Sequence, residues 1–248
     1  VTFGGMIVSK KIKAFLREFK PKYHWHIDPK KAYDTFFCLS RHLKADPNDF
    51  FLSMDSSEKP LSDYKSKWSK LKSDYETKRE TYLKQIPFSD FMVYDQIIQS
   101  IPSDYQVHLS NSSTVRYTQL FPMRESLKVF CNRGTSGIDG SVSTAVGASV
   151  HHQSPTLLIT GDLSFFYDSN GLWNTHIRKD FRIILVNNSG GGIFRILPGN
   201  EDTKEFATFF ETKHNFAAEH LAKMYGFEYH QANNLEGLKG CLKDFYQE

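Results

Sequence analysis

Short apolar segments followed at once by polar or glycine-rich clusters recur along the second half of the chain, and this arrangement constrains the fold most. Each apolar segment has the length and composition of a buried strand. The segments and clusters are 107–109 with 110–113, 129–131 with 132–134, 156–160 with 161–164, and 182–186 with 187–190. Helical patterns separate the segments, which predicts an α/β fold with a parallel sheet flanked by helices.

The remaining elements complete this alternation. Ser89 is a favourable N-cap for the first helix of the region. Helices are predicted at 91–99, 115–120, 140–151, 172–178, 216–225 and 235–246, with a short strand at 228–230. Because parallel strands end at the same edge of a sheet, the four polar clusters should lie together, where open α/β sheets bind ligands.

The first part of the chain predicts a smaller, partial α/β domain over residues 1–57. It contains a predicted helix at 10–19, a strand at 24–27 and a helix at 31–42. A linking helix is expected within 58–86, with Pro60 before it and an apolar stripe packed against the protein. Residues 87–248 then form the ligand-binding domain. Both ends of the sequence look cut, so we expect it to be a fragment of a longer protein.

Composition excludes several classes of function. Hydrophobic residues make up 40% and charged residues 24% of the chain, and the net charge is +3, which gives no basis for nucleic-acid binding. No apolar stretch is long enough to span a membrane. Cys38, Cys131 and Cys241 form neither a metal pattern nor a disulfide framework, so a cytoplasmic location is expected.

Asp162 and Asn188 each follow a predicted strand and should approach one another. They offer a carboxylate and an amide oxygen, and the backbone carbonyl near Gly190 offers a third oxygen. Mg²⁺ prefers such hard oxygen ligands and commonly shares them with phosphates and water. Gly161 and Ser164 lie at the start of a helix, where backbone N–H groups favour an anion. The pair therefore predicts a site for a divalent cation and a phosphate.

These residues resemble the diphosphate-binding motif of thiamine-diphosphate enzymes, except that Leu163 stands where glycine is usual. Three stretches are similar to one family, the menaquinone-pathway 2-succinyl-5-enolpyruvyl-6-hydroxy-3-cyclohexene-1-carboxylate (SEPHCHC) synthases. They are Asn-Arg-Gly-Thr-Ser-Gly-Ile-Asp-Gly at 132–140, Gly-Asp-Leu-Ser at 161–164, and Asn-Asn-Ser-Gly-Gly-Gly-Ile-Phe at 187–194. The resemblance covers most of 105–248 and, more loosely, the start of the chain.

The resemblance implies a role for each matched position. Asp162, Asn188 and the carbonyl of Gly190 would bind Mg²⁺ or Mn²⁺. Thiamine diphosphate would contact the positions Asn111, Ile138, Gly161, Asp162, Leu163, Ser164, Asn188, Gly190, Ile193 and Phe194. Ile138 would hold the cofactor in its bent shape, while Asn111 would bind the cofactor or brace its loop. Ile193 and Phe194 would line the pocket or pack in the core.

The resemblance also implies the reaction. Members of the family decarboxylate 2-oxoglutarate and add the succinyl semialdehyde unit to isochorismate. Arg133, Arg116 and Ser112 would meet these acidic substrates and act in catalysis, since arginine offers a bidentate fork to carboxylates. Lys10 would face isochorismate. An activating glutamate would come from the N-terminal pyrimidine-binding domain of a partner subunit, in a homodimer or a dimer of dimers, so the 248 residues alone should be inactive.

Two other functions remain open at this stage. The first is a different thiamine-diphosphate carboligase, similar to acetolactate synthase, whose substrates need fewer cationic contacts. The second is a non-catalytic α/β module that binds nucleotides or proteins. Magnesium-dependent binding of thiamine diphosphate, without binding of NAD or ATP, would separate an enzyme from such a module.

Overall fold

The computed structural model describes residues 1–5, 7, 9–54, 62–196 and 203–247. The chain divides into two compact units, Val1–Ser73 and Asp74–Glu248. The domain limits expected from the sequence stay a prediction, and the first of them, at 57/58, lies outside the described residues together with Pro60. No helix in the described ranges combines the length and apolar character needed to cross a bilayer.

The first unit contains a three-stranded parallel sheet in the order β1-β2-β3. Its strands are β1 (Thr2–Phe3), β2 (His24–Ile27) and β3 (Leu39–Leu43), and its helices are α1 (Lys10–Glu18) and α2 (Pro47–Leu52). Ser9 caps α1 by accepting the N–H of Ile12, and Asp46 caps α2. These are the side-chain caps that short helices need.

The helix predicted at 31–42 is wrong. Residues 39–43 instead form β3, and the Asp34 side chain organises the preceding turn. Its Oδ1 accepts the N–H groups of Cys38 at 2.8 Å and Leu39 at 2.9 Å. Because the side chain takes donors that a helix would pair with backbone carbonyls, the turn replaces the helix.

Helix α3 (Tyr64–Leu83) forms where the sequence predicts a linking helix, and the division between the two units falls within it. Its apolar stripe does not pack as expected. Trp68 is 56% exposed and Tyr75 is 64% exposed, and none of the residues of this helix is buried. Tyr64 and Trp68 contact each other, with ring centroids 6.0 Å apart.

The second unit contains a four-stranded sheet in which every pairing is parallel, in the order β5-β4-β6-β7. Its strands are β4 (Gln106–Leu109), β5 (Lys128–Cys131), β6 (Thr156–Gly161) and β7 (Phe181–Val186). Its α-helices are α4 (Asp90–Ser100), α5 (Ser113–Thr118), α6 (Ser141–His151), α7 (Asp162–Tyr167), α8 (Glu219–Met224) and α9 (Leu235–Asp244). Shorter 3-10 turns cover Ser169–Leu172 and Gly192–Ile196, and a π-helical segment covers Phe206–Glu211. The predicted fold class is thereby confirmed.

Strand β6 is buried on both faces and separates two apolar clusters. Leu157 and Ile159 point into one cluster, which includes Tyr94 and Ile97 of α4. Leu158 points into the other, which includes Val142 of α6. Successive side chains of a strand face opposite sides, so a continuous apolar run is what a strand covered by helices on both faces requires.

Two further predictions in this unit are wrong. The helix expected at 172–178 is absent, and the helix after β6 is instead α7, which starts directly at Asp162. Beyond Leu172 the chain turns at Asn174, whose Oδ1 accepts the N–H of His176 at 2.9 Å. Residues 228–230 form no strand. Phe227 and Tyr229 instead pack against the second cluster, so their alternation reflects burial against one face.

Candidate active site

The strand order creates a topological switch point between β4 and β6. The chain passes from β4 to β5 on one side and then crosses to β6 on the other side, so the connections leave the sheet in opposite directions. A crevice forms at the carboxyl ends of such strands. The cluster that begins at Ser110 follows β4, and the cluster that begins at Asp162 follows β6. The expected gathering of polar groups at one edge is therefore present.

Asp162 is the central acidic group of this edge. It is only 3% exposed. Its Oδ1 accepts the N–H of Leu163 at 2.7 Å, and its Oδ2 accepts the N–H of Gly190 at 2.9 Å. The latter bond joins the loop after β6 to the loop after β7. The two backbone donors satisfy the hydrogen-bonding capacity of a carboxylate that is buried away from water.

Asn188 and Gly190 lie on the loop that follows β7. Asn188 Nδ2 donates to Asp90 Oδ2 at 2.7 Å, which leaves its Oδ1 without a hydrogen bond among the described residues. Within that part of the chain Asn188 also makes no hydrogen bond to Asp162. Gly190 has φ +146°, and a Cβ there would lie 2.7 Å from the carbonyl oxygen of Glu211, so only glycine fits.

Asn111 ties the loop after β4 to the loop after β5. Its Nδ2 donates to the carbonyls of Asn132 and Gly137, the latter at 2.6 Å. Its Oδ1 accepts Arg133 Nη1 at 3.0 Å. Asn111 is 2% exposed. Of the two roles expected for this residue, these contacts support bracing of the loop that carries Arg133.

Arg116 and Arg133 are brought into electrostatic contact. Burial, and then the nearby charge of Arg133, lower the pKa of Arg116 from its usual value. Arg116 Nη1 donates to the carbonyl of Ser112 at 2.7 Å. In the part of the chain that the structure describes, neither guanidinium forms an ion pair with a carboxylate. Two like charges held close together provide a place for an anion with more than one negative group.

Ser112 itself has an unusual backbone. Its φ is 71° and its ψ is −128°, a region that residues with a side chain rarely adopt. Such strain persists only where the surroundings enforce it, and it concentrates at functional sites. Here it turns the start of α5 so that the Ser112 carbonyl faces Arg116.

The glycine-rich stretch before α6 is anchored by Ser164. Ser164 Oγ donates to the carbonyl of Ile138 at 2.5 Å and lies 3.2 Å from Ser141 Oγ. Ser164 is buried, whereas Leu163 and Ile138 are half-buried and Gly161 is the N-cap of α7. The predicted positions on the loops after β5 and β6 are therefore in contact through Ser164.

The last three predicted positions have different surroundings. Ile193 is 7% exposed and belongs to the core, and Phe194 packs edge-on against Phe210 with ring centroids 5.9 Å apart. For these two residues, core packing has structural support. Lys10 is the first residue of α1 in the first unit and is exposed, and its role stays a prediction.

Sequence reasoning missed two residues next to the predicted ligands. His214 Nε2 lies 3.2 Å from Asp162 Oδ2, with the His214 side chain 5% exposed. Asp90 bonds to Asn188, as described above. A histidine in a loop carries no spacing signal, and Asp90 reads simply as an acidic residue in the first turn of a helix. Only the folded chain identifies them.

The donor set fits a divalent cation and a diphosphate. Asp162 supplies a carboxylate, Asn188 an amide oxygen, and Gly190 a carbonyl that accepts one bond, from the N–H of Gly192 at 3.0 Å, and keeps a second lone pair. All three are hard oxygen donors, which Mg²⁺ prefers over nitrogen or sulfur. Register pairs Gly161 with Val186, so the loops that carry these groups leave the sheet side by side.

The second unit matches a known family of cofactor-binding domains. Residues 111–248 match the family model described as the thiamine pyrophosphate enzyme, C-terminal TPP binding domain. The chain belongs to this family of thiamine-diphosphate enzymes. The prediction of thiamine diphosphate as cofactor is confirmed at the level of the domain family, and the alternative of a non-catalytic module receives no support.

The chain is similar to several proteins named 2-succinyl-5-enolpyruvyl-6-hydroxy-3-cyclohexene-1-carboxylate synthase. That of Flavobacterium johnsoniae is 55% identical over 247 residues, covering 99% of this chain and 45% of the relative. That of Christiangramia forsetii is 55% identical over 249 residues, covering 100% and 43%. That of Porphyromonas gingivalis is 38% identical, covering 99% and 44%. The chain thus spans somewhat less than half the length of these relatives.

Among solved structures, the chain matches benzoylformate decarboxylase from Polynucleobacter necessarius. The match has 17% sequence identity and a TM-score of 0.49, and it covers 66% of this chain and 32% of that chain.

Proposed function

We propose that the protein containing this chain is a SEPHCHC synthase, which decarboxylates 2-oxoglutarate and transfers the succinyl semialdehyde unit to isochorismate. The observation that carries the proposal is the presence, at one sheet edge, of a buried carboxylate and two guanidinium groups. Asp162 suits the cofactor end of the site, and Arg116 and Arg133 suit acidic substrates. The similarity to the named synthases supports the same reaction.

At the cofactor end, Asp162, Asn188 and the Gly190 carbonyl hold Mg²⁺ or Mn²⁺, which binds the diphosphate. Gly161, Leu163 and Ser164 surround that group, and Ile138 holds the bent cofactor in shape. When bound, thiamine diphosphate supplies a thiazolium carbanion that acts as nucleophile and then as electron sink. The protein therefore has to position and polarise the cofactor and the substrates, and it does so with a fixed carboxylate and rigid backbone turns.

At the substrate end, the two guanidinium groups bind the carboxylates of 2-oxoglutarate and isochorismate. Arg133 is held by Asn111, and Arg116 is held by the Ser112 carbonyl. Each arginine uses a single Nη1 donor in these bonds, so further N–H groups remain for substrate. The strained backbone of Ser112 supports a role for this residue beside the reacting groups.

Further groups are needed to complete the proposed active site. We assign the activating glutamate to an N-terminal pyrimidine-binding domain of a partner subunit, in a homodimer or a dimer of dimers, and isochorismate contact to Lys10. The 248 residues alone are expected to lack activity. A cytoplasmic location suits the three cysteines, all of which are free thiols.

Calorimetry and turnover of the full-length protein test the proposal. Wild-type protein should bind thiamine diphosphate only with Mg²⁺ or Mn²⁺, and it should consume 2-oxoglutarate to form product when isochorismate is present. Asp162→Ala should abolish metal-dependent binding, because Asp162 contributes the only charged ligand of the proposed set. Asp244→Ala, at the end of α9, provides a matched control that should bind as wild type does.

The same experiment has outcomes that reject the proposal. Metal-independent binding, or Asp162→Ala with unchanged affinity, would remove the cation site. Turnover of pyruvate in place of 2-oxoglutarate would replace the reaction by that of another carboligase, such as one similar to acetolactate synthase.

A further inference from the structure

The proposed metal ligands Asp162 and Asn188 each contact a second polar side chain that is not itself a ligand. Asp162 lies against His214, and Asn188 lies against Asp90. Both neighbours come from segments outside the loops that carry the ligands. We propose that His214 and Asp90 are positioning residues, which fix the two ligand side chains so that their free oxygens point to the same cation. This inference rests on the proposed function.

His214 is held rigidly beside Asp162. Its ring stacks on Phe216 with centroids 5.2 Å apart and meets Phe166 edge-on at 5.6 Å. Its backbone N–H donates to the carbonyl of Ser189 at 3.3 Å, which ties His214 to the loop after β7. A ring enclosed in this way has few alternative rotamers, so its nitrogens have fixed directions.

The hydrogen bonds of the ring assign its tautomer. The N–H of Phe216 donates to Nδ1 at 3.1 Å, so Nδ1 is an acceptor and the proton of the neutral ring is on Nε2. Nε2 lies 3.2 Å from Asp162 Oδ2. The two atoms do not form a hydrogen bond, and Nε2 is a buried atom without a hydrogen-bond partner among the described residues.

Leaving a buried donor unpaired costs free energy, and Asp162 Oδ2 is an acceptor 3.2 Å away. The 3.2 Å separation allows Nε2–H to pair with Oδ2 after a small adjustment of either side chain. Oδ2 then has two donors, Gly190 N–H and His214 Nε2–H, which use both of its lone pairs. Oδ1 has one donor, the N–H of Leu163, and keeps one lone pair. His214 thereby directs Oδ1 to the cation.

Asp90 has the corresponding effect on Asn188. An amide has two chemically different ends, and only the oxygen can bind a cation. The carboxylate of Asp90 accepts a hydrogen bond and cannot donate one, so it selects the Nδ2 end of Asn188, at 2.7 Å. Oδ1 is then directed away from Asp90. This assignment follows from the contact between the two side chains alone and is independent of His214.

The tertiary structure explains why these partners are available. Asp90 is the first residue of α4, whose apolar face is buried against the sheet, so its position is fixed by the core. His214 follows the segment Phe206–Glu211, which lies against Gly190 and Gly191 through backbone contacts to Glu211. Neighbours of metal ligands commonly change metal affinity about 10–100-fold when they are removed.

Mn²⁺ binding by the full-length protein, with thiamine diphosphate present, tests the inference through the electron paramagnetic resonance signal of free and bound Mn²⁺. His214→Phe keeps the aromatic stack and removes the donor, and Asp90→Ala removes the acceptor. Each should raise the Kd for Mn²⁺ about 10–100-fold. His214→Gln places an N–H near the same position, and Asp90→Asn keeps an acceptor, so both should bind within a few-fold of wild type.

Matched controls separate positioning from general damage. His230→Phe replaces an exposed histidine that contacts Glu228, and Asp95→Ala replaces a second carboxylate of α4. Both should bind Mn²⁺ as wild type does. Wild-type affinity for Mn²⁺ in both His214→Phe and Asp90→Ala would overturn the inference. It would also be overturned if His214→Gln lost as much affinity as His214→Phe, and Asp90→Asn as much as Asp90→Ala. If Asp162→Ala also bound normally, the proposed cation site itself would be wrong.

Discussion

The side-chain Oδ2 of Asp162 accepts the backbone N–H of Gly190 at 2.9 Å, although these residues are 28 positions apart in the sequence. The bond exists because β6 and β7 are parallel neighbours and release their loops at the same edge. It fixes the carboxylate before any cation binds. A preformed site of this kind costs little reorganisation when its ligand arrives.

Replacement of Gly190 should damage both stability and cofactor binding. Gly190→Ala places a Cβ 2.7 Å from the Glu211 carbonyl at a φ of +146°, so the loop must shift. We expect the free energy of unfolding to fall by about 1–3 kcal/mol, as for other enforced backbone strain. Urea unfolding measures this change. Gly147→Ala, in the middle of α6 with open space around it, should instead be neutral or stabilising.

Asp168 should stabilise the second unit by capping α6. Its two oxygens accept Ser143 N–H at 2.7 Å and Ser143 Oγ at 2.6 Å, and it is 7% exposed. Asp168→Ala should lower the free energy of unfolding by about 1–3 kcal/mol, since a cap and a buried hydrogen bond are lost together. Ser143→Ala should cost less, because the backbone bond remains. Because Asp168 and Ser143 bond to each other, the losses of unfolding free energy should not add in the double variant. Simple addition of the two losses would contradict this prediction.

The arginines should control substrate binding more than cofactor binding. Arg133→Ala and Arg116→Ala should each raise the KM for 2-oxoglutarate or isochorismate about 10–100-fold, the range expected for a charge-assisted hydrogen bond. The Kd for thiamine diphosphate should stay near that of wild type. Steady-state kinetics and calorimetry separate the two effects, with Lys239→Ala on the exposed surface of α9 as control. Insensitivity of both KM values would favour a carboligase with less acidic substrates.

The second unit should lose stability in mild acid through His108. Burial, and then the charge of His152, lower the pKa of His108 below its ordinary value. Below the unfolded pKa of about 6.5, the unfolded chain binds a proton that the folded chain refuses, so stability falls as pH falls. His108→Leu should lose less unfolding free energy between pH 8 and pH 5.5 than wild type. Parallel stability curves for the two proteins would rule out this contribution.

The elements that sequence analysis placed correctly are those with a strong local signal. The strand around Leu158 is a continuous apolar run, and Ser89 lies at the N-cap position of α4, as predicted. The helix predicted at 140–151 is α6, which begins one residue later, at Ser141. The errors at 31–42 and 172–178 share one cause. In both places an Asp or Asn side chain binds nearby backbone N–H groups, and apolar periodicity contains no information about that competition.

The candidate site also combines features that the sequence predicted with features that only the fold reveals. Polar residues placed directly after predicted strands were enough to bring Asp162, Asn188 and Gly190 to one edge, and the structure agrees that their loops are adjacent. The electrostatic contact between Arg116 and Arg133 also required the fold, since Asn111, shortly before α5, binds the loop after β5. Their assignment as ligands and substrate contacts stays a prediction.

The sequence by itself determined the alternation of strands and helices, the parallel sheet and the edge where chemistry concentrates, because periodicity and strand ends are local properties. Only the tertiary structure decided which side chains face one another there. His214 and Asp90 approach Asp162 and Asn188 because segments that are distant in the sequence pack together, and no local pattern records such a contact.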